Sequence, residues 1–210
     1  RTAGIERAAA GSAKFIDYFT SLVDRYTNEP TDNLISALIE VTNDDPDAGL
    51  APTELIGALT LLLFGGHETT TNLISNSMHS LLQHPEQQRL LGSRPELLGG
   101  ALEELHRFDG STKLMVRIVG EAHERDGIAM AVGQTVFLGV LGANRDPVVF
   151  DDPDDLRIDR SNARSHLGYG YGGHFCLGAA LARLEAEVAI GRLIKRFPEL
   201  ALRDDAAVTW

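Results

Sequence analysis

Leu167 to Leu181 reads LGYGYGGHFCLGAAL, and this stretch decides how the rest of the chain is to be understood. It contains Cys176, the only cysteine in 210 residues. Gly168, Gly170, Gly172, Gly173 and Gly178 crowd around that cysteine, and His174 stands two residues before it. Just beyond, Leu177, Leu181, Leu184, Val188 and Ile194 recur near a helical period, which predicts an amphipathic helix to about residue 197. The sulfur therefore sits where a glycine-rich loop enters a helix. Free N–H groups and the positive end of the helix dipole favour a thiolate there. Glycines allow backbone to come close to something flat and bulky, or to adopt positive φ.

Other readings of the same residues fit less of the pattern. A lone cysteine is commonly a small buried hydrophobe. Gly168, Gly170 and Gly173 match a dinucleotide fingerprint, but SNARSH precedes them in place of an apolar strand. A zinc site built from His166, His174 and Cys176 lacks a second ligand pair at usable spacing. None of these explains so many glycines together with the His-x-Cys-x-Gly order. A thiolate with a cleared approach on one side is what a heme iron requires of an axial cysteine.

Tyr169 to Gly178 closely resembles the heme-ligand signature of the cytochromes P-450, F-G-x-G-x-H-x-C-x-G, with Tyr169 in place of the usual Phe. The continuation LGAALARLEAE is typical of soluble bacterial members. The resemblance implies a mainly α fold with a small β portion, corresponding to the C-terminal half of such a protein. The whole of 1–210 then forms one heme-binding region. It implies heme b ligated by Cys176, with Gly170, Phe175 and Gly178 shaping the pocket and His174 serving a propionate.

Two further motifs precede the cysteine in the family's order. Pro52 opens and Pro85 closes a long predicted helix, about 52–84, roughly 45 Å from end to end. Leu55, Ile56, Leu59, Leu61, Leu62, Leu63 and Phe64 leave it almost no polar face, which predicts burial on all sides. In its middle stands Gly65-Gly66-His67-Glu68-Thr69-Thr70-Thr71, a run of poor helix formers with a charge among them. Such a local conflict often marks a functional site. The run resembles the family's [AG]-G-x-[DE]-T-[TS]. By that resemblance Gly65 and Gly66 open the oxygen pocket, Glu68 is the acid, and Thr69 supplies the hydroxyl beside dioxygen. Oxygen–oxygen cleavage needs protons delivered through just such groups. A second predicted helix, about 95–108, carries Glu104 and Arg107, matching E-x-x-R. An isolated i,i+3 pair is worth only a few tenths of a kcal/mol; in the family the pair is buried and organises the cysteine loop.

Elsewhere the pattern is plainer. Helices are predicted over Ala3–Tyr26 and from an Asp32 N-cap through Val41, followed by a solvated acidic turn, Asn43–Asp47. Strands are predicted over Leu114–Val119 and Thr135–Val140. Arg117, on the first, matches the arginine that binds a heme propionate. Ala143-Asn144-Arg145-Asp146-Pro147 resembles the family's A-N-R-D-P. Asp155 stands where the family often has a basic residue completing a cluster with E-x-x-R, leaving Arg157 or Arg160 as the substitute.

Composition limits the partners. With 19 Lys+Arg against 30 Asp+Glu, a formal charge of −11 argues against nucleic acid. The longest apolar run, Leu55–Phe64, is too short and interrupted for a membrane span. A single cysteine suits a reducing compartment, so the cytoplasm is expected. The resemblance implies an oxidoreductase, a heme-thiolate monooxygenase acting on a small organic substrate with dioxygen. Electrons would come from NAD(P)H through a ferredoxin- or flavodoxin-type partner. Since only half the family's length is represented, the apolar distal face is expected to be covered by a missing N-terminal half, another copy or a partner chain. A truncated relative catalysing a rearrangement, or a heme-binding helper subunit, are the alternative readings.

Overall fold

A computed structural model describes residues 2–44 and 49–203. Helices dominate: α1 (Thr2–Asn28), α2 (Leu34–Asp44), α3 (Pro52–Gln83), α4 (Pro85–Ser93), α5 (Leu98–Asp109), α6 (Val140–Ala143) and α7 (Ala179–Arg196). Four short strands accompany them: β1 (Met115–Ile118), β2 (His123–Arg125), β3 (Ile128–Met130) and β4 (Thr135–Leu138). The expected mainly α class with a small β portion is therefore met. Two compact units divide between His67 and Glu68, within α3.

In the first unit, Phe19 of α1 packs with Leu55 and Leu59 of α3, and Leu38 and Ile39 of α2 close the cluster. Leu55 and Leu59 are four apart and so share one helix face. The N-cap of α2 is Asn33, not Asp32 as expected: Oδ1 of Asn33 accepts the Ser36 N–H at 3.0 Å. Glu54 does the corresponding work for α3, accepting the Ala51 N–H at 2.8 Å. Of the expected acidic turn, Asn43 and Asp44 complete α2, and residues 45–47 lie outside the described residues.

Burial of α3 on all sides is not observed. Leu55 and Leu59 are each 4% exposed, but Leu61 is 68% and Phe64 69% exposed. The cluster around Phe19 uses the Leu55–Leu59 face, with Ile56 half-buried against it, while Leu61, Leu62, Leu63 and Phe64 stay exposed.

The second unit holds the larger core. Met78 and Leu81 of α3, Leu91 of α4, Leu102 and Leu105 of α5, and Ile190 and Ile194 of α7 meet around Leu156 and Ile158. Pro85 explains both the end of α3 and the start of α4, since proline cannot continue a helix but suits its first turn. The expected helix over 95–108 begins as a 3-10 turn at Pro95–Leu97 before α5 takes over. Strand β1 pairs antiparallel with β4, with Arg117 opposite Val136. β2 and β3 form a separate hairpin absent from the sequence reading. Its turn is Asp126-Gly127, both at positive φ (52° and 78°), the conformation for which Asp-Gly is favoured.

The apolar stripe expected to bury α7 is also corrected. Only Ile194 of that stripe is buried, while Leu177, Leu181, Leu184 and Val188 are exposed. The helix has a second apolar face, Ala179, Ala186, Ile190 and Ile194, and it is this one that meets the core. Small side chains there permit close approach to α5: a Cβ at Gly191 would lie 2.9 Å from Leu98 Cδ2. Among the described residues no helix is long and apolar enough to cross a membrane.

Candidate functional site

Cys176 is an exposed free thiol on the loop leading into α7. Its N–H donates to the Tyr169 carbonyl at 2.8 Å, and its carbonyl accepts the Ala179 N–H at 3.3 Å. Gly170 and Gly172 take positive φ, 78° and 73°, so the turn needs glycine at both. Gly168 is required for another reason: a Cβ there would sit 2.5 Å from Nε2 of His106. His174 lies in the 3-10 turn Gly172–His174, and the Phe175 ring stands 6.3 Å from that of Tyr169. Gly178 is the N-cap of α7, and a Cβ on it would be 4.0 Å from Cys176 Sγ. Gly170, His174, Phe175, Cys176 and Gly178 thus form one continuous loop, as the sequence led us to expect. Tyr169, the departure from Phe, keeps its ring buried. Burial pushes its phenol up to about 12, so the hydroxyl stays neutral.

Glu104 and Arg107 are both wholly buried and joined by two parallel bonds, Nε to Oε2 at 2.7 Å and Nη2 to Oε1 at 2.8 Å. Arg107 also donates to the carbonyls of Asn144, Pro153 and Asp155 at 2.9, 2.8 and 3.2 Å. All five guanidinium N–H donors are then used, which is what a buried arginine requires. Arg160 supplies the base that Asp155 does not: its Nε donates to Glu104 Oε1 at 3.1 Å. Arg157 contributes only its backbone N–H, at 3.0 Å from the same oxygen. The three-way charge cluster is complete. Asn144 carries it to the cysteine loop, giving its carbonyl to Arg107 and accepting the Leu167 N–H on Oδ1 at 2.7 Å.

A second buried cluster was missed in the sequence. Glu103, next to Glu104, accepts from His166 Nε2 at 3.0 Å and from Arg183 Nε at 2.6 Å. Nδ1 of His166 accepts the Gly168 N–H at 2.9 Å, leaving Nε2 as the donor to Glu103. Burial alone raises the Glu103 carboxyl, but the bonds from His166 and Arg183 outweigh it and hold it at about 2. His106 packs against the rings of His166 and Tyr169, with centroids 4.6 and 4.3 Å away. Burial, helped by His166, pushes His106 down to about 3. The sequence carried little signal: adjacent acids about 100° apart, followed by His106 and Arg107, fit a single solvated face, and only the fold buries both. Both ring nitrogens of His166 are engaged in this cluster.

The α3 motif is carried on uninterrupted helix, with Glu68 and Thr69 exposed and Thr70 buried. A Cβ at Gly65 or Gly66 would meet no described atom within 4 Å beyond its own helix, so no internal contact demands glycine there. Arg117 is exposed, donating to the Val116 carbonyl at 2.9 Å. Strand alternation puts it on the face of β1 that carries Met115. A Cβ at Gly170 would lie 3.9 Å from Met115 Cε, so that face is turned to the cysteine loop.

Comparison with known proteins identifies the family. Residues 7–92 and 94–206 match the family model Cytochrome P450, and the chain belongs to that family. It is 44% identical over 194 residues to a vitamin D(3) 25-hydroxylase of Pseudonocardia autotrophica, covering 92% of this chain and 48% of that protein. The crystal structure of P450BioI with an acyl carrier protein ligated to hexadec-9Z-enoic acid superposes with a TM-score of 0.85 at 40% identity. That match covers 91% of this chain and 48% of the other. CYP109E1 from Bacillus megaterium, in complex with testosterone, gives a TM-score of 0.89 at 32% identity over 96% of this chain and 55% of its own. The chain spans about half the length of the curated relatives it matches. Members of the family hold heme through a cysteine thiolate.

Proposed function

We propose that this chain is the heme-binding half of a cytochrome P450 monooxygenase, with Cys176 as the axial ligand of heme b. The observation that supports this most directly is the exposed Cys176 on a loop tied down by its own N–H, by two positive-φ glycines and by two buried charge clusters. The donor set suits the group: one exposed, free sulfur on a glycine-rich loop would hold the iron as its thiolate ligand. Heme, when bound, supplies the activation of dioxygen for insertion of one oxygen atom into a small organic substrate.

The residues of this chain hold and serve that chemistry. Cys176 fixes the axial position, and Gly170, Phe175 and Gly178 shape its surroundings. Arg117 and His174 bind the propionates, the arginine through its planar fork. On α3, Gly65 and Gly66 keep backbone low, while Oγ1 of Thr69 and the carboxylate of Glu68 pass protons inward from solvent. Electrons reach the site from NAD(P)H through a ferredoxin- or flavodoxin-type protein, in the cytoplasm. Testosterone and the hexadecenoyl chain in the names of the relatives are largely apolar, and an apolar substrate is assigned here too. The exposed Leu61–Phe64 wall is covered in the working protein by further P450 sequence or by a partner chain.

Adding carbon monoxide to the reduced, heme-loaded protein tests the ligand. A strongly red-shifted Soret band that disappears in Cys176→His is the expected result. An unshifted band in folded wild-type protein would sink the assignment.

A further inference from the structure

Glu103 and Glu104 are adjacent on α5, about 100° apart around its axis, and each serves a different part of the chain. Glu104 is bound by Arg107, by Arg160 and by the backbone of Arg157, and Arg107 and Arg160 reach on to carbonyls of Asn144, Asp152, Pro153 and Asp155. Every one of these partners lies on α5 itself or in the 144–160 segment. Glu103 instead binds His166, just before the cysteine loop, and Arg183, a turn into the helix that follows it.

Both connections from Glu103 lead on to Cys176. His166 accepts the Gly168 N–H on Nδ1. Arg183 lies over the Tyr169 ring, 4.4 Å from its centroid, and Tyr169 gives its carbonyl to the Cys176 N–H at 2.8 Å. His106 fills the space against Gly168 and Tyr169, so the loop cannot settle closer to α5.

We propose that Glu103 is a second positioning residue of the cysteine loop, clamping it at both ends through His166 and Arg183, beside the Glu104 cluster, which reaches the loop only through Asn144. This rests on Cys176 being the heme ligand, but the clamp itself can be measured without heme chemistry. Partners that orient a metal ligand are typically worth 10–100-fold in affinity or activity when removed, and the Glu103 clamp falls in that class.

The test compares Glu103→Gln and Arg183→Met with wild type in the heme-loaded full chain. Hydrogen exchange at the Cys176 amide is expected to speed about tenfold in both variants, with the Phe150 amide, bonded to Asp146, unchanged. The red-shifted carbon-monoxide band is expected to convert to the unshifted form about tenfold faster, at a temperature where helix content is constant. Arg183→Lys, which keeps the charge, should recover part of both effects. Arg183 is 38% exposed at its side chain, so its variants remain folded if Glu103→Gln does not. Unchanged Cys176 exchange overturns the clamp whatever ligates the heme. Simultaneous loss of helix and Soret shift would reduce Glu103 to a general stability role and overturn it equally. Altered exchange with no red-shifted band in wild type would leave the clamp standing and remove the ligand reading.

Discussion

Arg160 donates its Nε–H to Oε1 of Glu104 across 3.1 Å, filling the place that Asp155 leaves in the charge cluster of E-x-x-R. The two residues are 56 apart in sequence, and the arginine is 4% exposed at its side chain. Asp155 stays in the cluster through its carbonyl, which accepts from both Arg107 and Arg160.

Arg160→Met is therefore expected to cost about 3–5 kcal/mol, because Glu104 loses one of its two arginines in a buried site. Arg157→Met should stay within about 0.5 kcal/mol, since that side chain is half exposed and only its backbone N–H reaches Glu104. Urea denaturation of the two variants separates them; equal costs would show that Arg160 is not the third member.

Acid should destabilise the protein through His106 before the carboxylates matter. Its folded value of about 3 lies below the ordinary 6.5. Above pH 6.5 the ring is neutral in both states and the stability is whole. As pH falls toward 3 the unfolded chain takes up a proton that the folded chain refuses, a loss of at most about 1.4 kcal/mol per pH unit. Glu103, held at about 2 against an ordinary 4.5, adds its own loss only below 4.5. Denaturation midpoints between pH 6.5 and 4.5 should thus fall in wild type and flatten in His106→Phe, which keeps a ring against Tyr169. A slope that survives the substitution assigns the loss to another group.

Asn33→Ala should destabilise the first unit by about 1 kcal/mol, the usual worth of an N-cap. Asp32→Ala should change little, because the Ser36 N–H is already satisfied by Asn33. Helix content on heating reports both, and a larger effect at Asp32 would restore it as the cap.

Leu61, Leu62, Leu63 and Phe64 are 38–69% exposed, a contiguous apolar wall of a kind uncommon on isolated soluble proteins. The 210 residues alone should self-associate in light scattering and bind a hydrophobic dye. Leu61→Glu with Phe64→Lys should reduce both. A dye-free monomer with a cooperative melt would show that this face needs no cover.

The sequence by itself determined the class of the fold, the order of the three motifs and the cysteine to which they lead. Those features are local: glycines at Gly170 and Gly172 answer a backbone conformation, and Pro85 answers a helix end. It did not determine which apolar stripe of α7 is buried, since Leu181-Leu184-Val188 and Ala186-Ile190-Ile194 are both legitimate helix faces. Tertiary contact chose the smaller one, because α5 comes close enough to require Gly191. Nor did spacing reveal which arginine pairs with Glu104, or that Glu103 has partners 63 and 80 residues away. A carboxylate buried from water takes whichever donors the folded chain brings to it, and sequence distance carries no record of that meeting.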